Sequence, residues 1–418
     1  MKKLKVNILR GKDNIGENLI EVTDEKTKIL LECGVALEPT EKSKRIETQV
    51  LNTEYDAIII THYHADHSAL LRNSLKAKKI FISKGTFNVL EYCNAISKEN
   101  MERIEFLQNQ KTFSVGEMVC MPYFCDHSAY DSCMIEISKG EENLLYTGDF
   151  RSNGRKNFDF LLKKLPKKVD LLITGATTLT LKNQTEKGLE EKAVEIFSKH
   201  DKVFILQSAL NIDRTVSFYR ASKRTDRPFI MGLSSADICS NIKNIPNPIS
   251  FNDCFTYLNR SVTADLYDKA KGTYRTKLLG RSQIAMIDKF TMQINASMLD
   301  YIRELNKSVR LKNSVLVYSM WQGYKAEMQE FLDGVKEMGV NIVDLHVSGH
   351  ADLQAIEQII KKTNPKKIEL VHTKEEDSFL WEALLLCIKA GRVNDSYVER
   401  NTGEGYMKVK KHLTTLKN

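Results

Sequence analysis

The sequence predicts an α/β protein of two domains, and three observations carry that reading. A chain of 418 residues is longer than one ordinary domain. Ala57–Thr61 is a β-branched run, apolar until its last residue, as in a strand buried on both faces. From about residue 182 onward strands and helices alternate regularly, which implies a parallel sheet flanked by helices.

The elements follow in order. Lys5–Leu9, Leu19–Val22 and Lys28–Glu32 read as short strands separated by Gly, Asn and Asp turn chemistry. Met118–Tyr123, Cys133–Ile137, Asn143–Thr147 and Leu171–Thr174 are further strands. In the second half, Glu186–Ser198, Ile212–Ser222 and Ser235–Ile242 are helices around strands at Val203–Gln207 and Pro228–Gly232. Strands at Gln283–Ile287, Ser314–Tyr318, Asn341–Leu345 and Lys367–Val371 continue the series. Helices are expected at Ala326–Met338, Ala351–Lys361 and Ser378–Ala390.

Composition sets the bounds. A 42% hydrophobic content describes a globular chain with a sizeable core. The net charge of +8 permits phosphate binding and equally fits a lysine-rich solvated surface. The apolar stretch after Met1-Lys2-Lys3 stops at Leu9, and no run approaches the length of a membrane span. Eight cysteines without a Cys-x-x-Cys pair read as reduced thiols, so a cytoplasmic protein with no membrane partner is expected.

Chemistry concentrates in the histidines. Nine occur, and three fall in Thr61-His62-Tyr63-His64-Ala65-Asp66-His67, directly after the buried strand. His62 and His64 are two apart, so in extended backbone they face one side and can grip one ion. Asp66 and His67 follow on the turn, in reach of a second ion. Imidazole nitrogen and carboxylate oxygen are ligands that zinc accepts in catalytic sites with a position open for water. A polar turn with accidental histidines is a poor alternative for three histidines and an aspartate within six residues. His127 and Asp149 each follow a strand and complete two sets. His62, His64 and His127 would hold one ion and Asp66 with His67 the other, with Asp149 bridging.

This succession, His-x-His-x-Asp-His, a strand-end histidine and Thr147-Gly148-Asp149, resembles the metallo-β-lactamase-fold hydrolases. Asp126-His127-Ser128-Ala129 and Gly148-Asp149-Phe150-Arg151 are similar to the nucleic-acid-processing branch of that fold, the β-CASP proteins, ribonuclease J among them. His346-Val347-Ser348-Gly349-His350 resembles that group's motif B, and Leu370-Val371-His372 its motif C. The resemblance implies an αββα metallo-β-lactamase sandwich with an inserted α/β β-CASP domain. The expected bounds are 1–181 and 314–418 for the core and 182–313 for the insertion, a lid over the metal cleft. It also implies His372 as the last ligand of the second ion, and His350 as a general acid or phosphate contact. Ser348 and Gly349 are expected to cradle a phosphate, or else to cap the next helix. Arg214, near a helix start, is expected to bind phosphate or to make an ordinary salt bridge. The basic stretches 220–227 and 271–281 would line a groove that tracks a strand.

Two departures stand out. Glu32-Cys33-Gly34 carries glutamate where the family has aspartate, one methylene longer, in a supporting position behind the ligands. Thr174-Gly175-Ala176 puts glycine where motif A carries an acid, with Asp170 and Glu186 as candidates to compensate. The leading expectation is therefore a two-zinc phosphodiesterase acting on RNA or single-stranded DNA, with manganese as the alternative metal. A hydroxide shared between the ions attacks phosphorus, with Asp66 and His350 as catalytic residues. Two others are carried beside it, a weakened RNA-binding pseudoenzyme and a hydrolase of small molecules. A homodimer is left open.

Overall fold

The computed structural model describes residues 4–373 apart from 13, 179, 181, 243–246, 250–253 and 258–277. The helix expected at Ser378–Ala390, and residues 271–277 of the second basic stretch, lie outside the described residues. The chain divides into two compact units, Met1–Asn183 with Gly349–Asn418, and Gln184–Ser348.

The first unit is built on two six-stranded sheets. One runs β1 (Lys5–Arg10), β2 (Leu19–Thr23), β3 (Lys28–Leu31), β4 (Tyr55–Ile59), β5 (Ala77–Ser83) and β6 (Ile104–Leu107) in spatial order. The other runs from the strand Lys367–Val371 through β11 (Leu171–Gly175), β10 (Glu142–Tyr146), β9 (Cys133–Lys139) and β8 (Met118–Phe124) to β7 (Phe113–Val115). Alternate residues of both sheets meet in a common core that includes Ile29, Ile59, Cys133, Ile135, Tyr146 and Ile173. A second core, with Leu145, Leu172, Ile356 and Ile359, packs the outer face of the second sheet against helices Phe158–Lys164 and Leu353–Thr363. This is the αββα sandwich expected.

The second unit holds a seven-stranded sheet whose paired strands are all parallel. It contains β12 (Lys202–Leu206), β13 (Phe229–Met231), β14 (Phe255–Tyr257), β15 (Leu278–Leu279), β16 (Phe290–Ile294), β17 (Val315–Tyr318) and β18 (Asn341–Asp344). Their spatial order is β15-β14-β13-β16-β12-β17-β18. Two expectations need correction here. The insertion ends at Ser348 and not at 313, because β17 is wholly buried beside β12 and β18 pairs with β17. The apolar run Gln283–Ile287 is not a strand: Arg281–Ala285 is helical, and the strand follows at Phe290–Ile294. A short apolar run does not distinguish the two by periodicity.

All seven cysteines among the described residues are unbridged. No described helix is long and apolar enough to cross a membrane.

Candidate metal centre

Strand β4 ends at Ile59, and the chain then turns through the histidine cluster into the short helix Ala65–Ser68. That turn is packed down onto Gly34, where a side-chain carbon would collide with the Asp66 carbonyl, so the residue after Cys33 must be glycine. His127, Asp149, Gly175 and His372 arrive from the second sheet, each at the C-terminal end of a strand or just beyond it.

Side-chain hydrogen bonds fix which nitrogen of each ring faces inward. Thr61 Oγ1 donates to the Glu32 carboxylate and therefore accepts from His62 Nδ1 at 2.9 Å, which frees His62 Nε2. His67 Nδ1 donates to Glu32 Oε1 (3.1 Å). His127 Nδ1 donates to the Gly349 carbonyl (2.6 Å). Thr177 Oγ1 donates to the His372 carbonyl (3.0 Å) and accepts from His372 Nδ1 (2.6 Å). Four rings thus present Nε2 to the centre, as ligands supported by a second hydrogen bond do. His64 presents Nδ1, which lies 3.2 Å from both His62 Nε2 and His127 Nε2.

Three ring nitrogens with no proton to share would repel at that distance. Tetrahedral zinc with bonds of about 2.05 Å separates its ligands by about 3.3 Å, so the set fits such an ion. A second set, Asp66, His67 and His372, lies beside it. His372 Nε2 is 2.7 Å and His67 Nε2 3.6 Å from Asp66 Oδ2. Asp149 Oδ2 stands between the sets, 3.9 Å from His127 Nε2, 3.4 Å from His67 Nε2 and 3.8 Å from His372 Nε2. The donor chemistry fits two divalent ions sharing one carboxylate.

The electrostatics agree. Burial drives His62 and His127 far below the usual imidazole range and His64 down to about 4, so all three rings are neutral near pH 7, the form in which an imidazole can bind a metal. Burial works against ionisation of Asp149 as well. The surrounding His372, His67 and His350 outweigh it and hold that carboxyl far below its ordinary value. Asp66 is likewise lowered against the effect of burial, chiefly by His67 and His372. Burial disfavours charge on His67 and His372 too, but Asp149 and Asp66 raise both. Buried carboxylates of this kind call for a compensating cation.

The structure brings together His62, His64, Asp66, His67, His127, Asp149, His350 and His372, with Glu32 behind them. The His350 side chain is 30% exposed, and its Nε2 lies 3.1 Å from Asp149 Oδ2. The carboxylate can only accept, so the proton is on Nε2. Other expectations fare differently. Gly349 serves the centre through its carbonyl, which orients His127. The helix Leu353–Thr363 is capped by Asp352 and not by Ser348, which falls in the second unit. Arg214 is wholly buried, and its donors go to Glu186, Ser319, His346 and the Val347 carbonyl. It is a structural arginine of the second unit, and no donor is left for phosphate. Neither proposed substitute for the motif A acid serves: Asp170 is held by Lys366 and the Asn143 amide, and Glu186 by Arg214. Gly175 does lie beside Asp149. A Cβ there would lie 3.1 Å from Asp149 Oδ1.

Sequence reading missed three groups that pack on the cluster. The Asn18 backbone N–H bonds the Asp66 carbonyl and so holds the turn, and its side-chain Nδ2 lies 3.1 Å from His67 Nε2. Thr61 and Thr177 orient His62 and His372. Thr61 alone carried a signal, as the residue that ends the buried strand ahead of the cluster.

Glu32 carries the largest share of this support, since it accepts from Thr61 N, Thr61 Oγ1 and His67 Nδ1. Replacing it with glutamine removes the charge and offers donors where donors already point. Zinc affinity, read by competition with a chromophoric chelator, is expected to fall about 10- to 100-fold. Unchanged affinity would show that Glu32 does not hold the rings.

Residues 325–379 match the Zn-dependent metallo-hydrolase RNA specificity domain. An RNase J-like protein of Methanocaldococcus jannaschii is 22% identical over 90% of this chain and 94% of its own length. A probable RNase of the same organism, MJ4, is 21% identical over 86% of this chain and 91% of its own. Integrator complex subunit 11 of Danio rerio is 21% identical over 89% of this chain and 69% of its own. A crystal structure of a protein of unknown function from Enterococcus faecalis V583 superposes with a TM-score of 0.71 at 17% identity, covering 90% of this chain and 96% of the other.

Proposed function

We propose that this chain, a metallo-hydrolase of the β-CASP branch of the metallo-β-lactamase fold, is a two-metal nuclease that cleaves single-stranded RNA. The observation that carries the reading is the paired ligand sets around Asp149, with imidazoles held in the metal-ready tautomer on both sides. The matched RNA specificity domain and the RNase-like relatives support RNA as the substrate.

His62, His64, His127 and Asp149 would hold one zinc, and Asp66, His67, His372 and Asp149 the other. Bound there, the ions supply Lewis acidity toward phosphoryl oxygens and an acidified water able to attack phosphorus near neutral pH. The protein contributes the proton. Asp149 accepts from His350 Nε2 and keeps that proton at the edge of the centre, where a departing oxygen would take it. A positioned acid of this kind contributes about 10²- to 10⁴-fold.

The test is incubation of metal-analysed protein with a 5′-phosphorylated, end-labelled RNA. Cleavage is expected, with loss on His64→Ala and on chelation. Products from the 5′ end would mark an exonuclease and internal cuts an endonuclease. No cleavage with zinc or manganese would sink the reading.

Gly175 favours one second reading, an RNA-binding protein with weakened chemistry, because glycine supplies no acid at that position near Asp149. Gly175→Glu separates the two. A large gain in cleavage rate would mark a weakened site, whereas the leading reading expects no gain, since the new side chain starts in tight contact with Asp149.

A further inference from the structure

Strand β17 ends at Tyr318, and the chain turns through Trp321 into the short 3-10 helix Gln322–Lys325. Trp321 is 55% exposed and Tyr324 40%. Large aromatic side chains left in water at a strand end gain nothing for the fold, yet this pair is held firmly. The Trp321 carbonyl accepts from the buried Tyr318 hydroxyl at 2.9 Å. Tyr324 meets the indole edge-on, with centroids 5.3 Å apart and planes at 86°. Gly323 backs the benzo ring so closely that a side-chain carbon there would collide with it. Lys325 lies over the Tyr318 ring, 5.0 Å from its centroid, and is tied to Asp344, so a cation stands beside the pair.

From this we propose that Trp321 is a preformed stacking platform for a nucleobase of the bound RNA strand, with Tyr324 and Gly323 holding the indole in place. The inference rests on RNA being the ligand and adds a recognition residue that the metal centre does not contain. Three arguments favour a base over another occupant. An indole fixed on one edge and one side still offers a face, and every base has a π-face to match it. The ring is already ordered, so stacking costs little side-chain entropy. The matched RNA specificity domain begins at residue 325, directly after the pair.

The experiment measures binding of a fluorescein-labelled single-stranded oligoribonucleotide to the full chain under chelation, so that cleavage plays no part. Base–aromatic stacking of about 1–3 kcal/mol predicts roughly 5- to 150-fold weaker binding for Trp321→Ala, with Trp321→Phe retaining most of the affinity. Gly323→Val, which pushes the indole aside, is expected to resemble Trp321→Ala. An oligonucleotide of abasic sites should bind wild type and Trp321→Ala alike. Circular dichroism and melting should be unchanged, because the side chain is exposed. Equal affinities of wild type and Trp321→Ala for the normal RNA overturn the proposal, as does a change of oligomeric state in Trp321→Ala with RNA binding intact. Trp321-dependent binding without cleavage on metal loading would remove the nuclease reading and leave the platform standing.

Discussion

Asp149→Asn is expected to lower RNA cleavage by at least about 10³-fold and to reduce bound zinc from two ions to one or fewer. The substitution keeps the shape and removes the charge. In the wild type, one oxygen of Asp149 faces Nε2 atoms of His67, His127, His350 and His372 between 3.1 and 3.9 Å. In the proposed centre it is the anion common to both ligand sets, so its loss would affect both at once and leave two like charges with less screening between them. Several kcal/mol of transition-state stabilisation rest on a centre of this kind, at about 1.4 kcal/mol per factor of ten in rate. The neutral amide would also present a donor to His350 Nε2 and no longer hold a proton there. Zinc content by mass spectrometry and single-turnover cleavage read the two consequences separately. Normal zinc with lost cleavage would place the effect on His350, and normal values of both would refute the shared-carboxylate centre.

The histidine and carboxylate cluster was legible in the sequence because strand ends announce its members. His62 to His67 follow a β-branched run, while His127, Asp149 and His372 each come directly after an apolar strand, so their residue types stand out against their surroundings. What supports the ligands was not legible. Thr177 lies 195 residues from His372, and Asn18 lies 49 from His67. Threonine and asparagine near turns have many ordinary uses, and nothing local marks these as partners of a ring. The unit boundary was missed for a related reason. Val315–Tyr318 reads as a buried strand whichever sheet receives it, and only pairing with β12 assigns it to the second unit. The salt bridge offered for Arg214 is present but buried, where a helix start suggests an exposed anion site. Here the first turn of that helix, Ile212–Arg224, is buried instead.

Arg214 yields the other large effect, one of stability and not of binding. Its five N–H groups are all placed: Nε on Glu186, Nη2 on Glu186 and the Val347 carbonyl, Nη1 on Ser319 and His346. Both partners of the ion pair are fully buried. Arg214→Leu would leave the Glu186 carboxylate charged in the interior without its arginine, with Ser217 among the groups that still bond it. Breaking a buried pair from one side costs about 3–5 kcal/mol, and replacing both sides with apolar residues often costs little. Denaturant unfolding of Arg214→Leu should therefore show a loss of that size, and Arg214→Leu with Glu186→Leu should recover much of it. The same variants decide the arginine's role. A phosphate-binding arginine, once removed, would weaken RNA affinity and its salt dependence while leaving stability nearly intact. The burial and saturation of Arg214 require the opposite pattern, with stability lost and the affinity of the remaining folded protein for RNA unchanged.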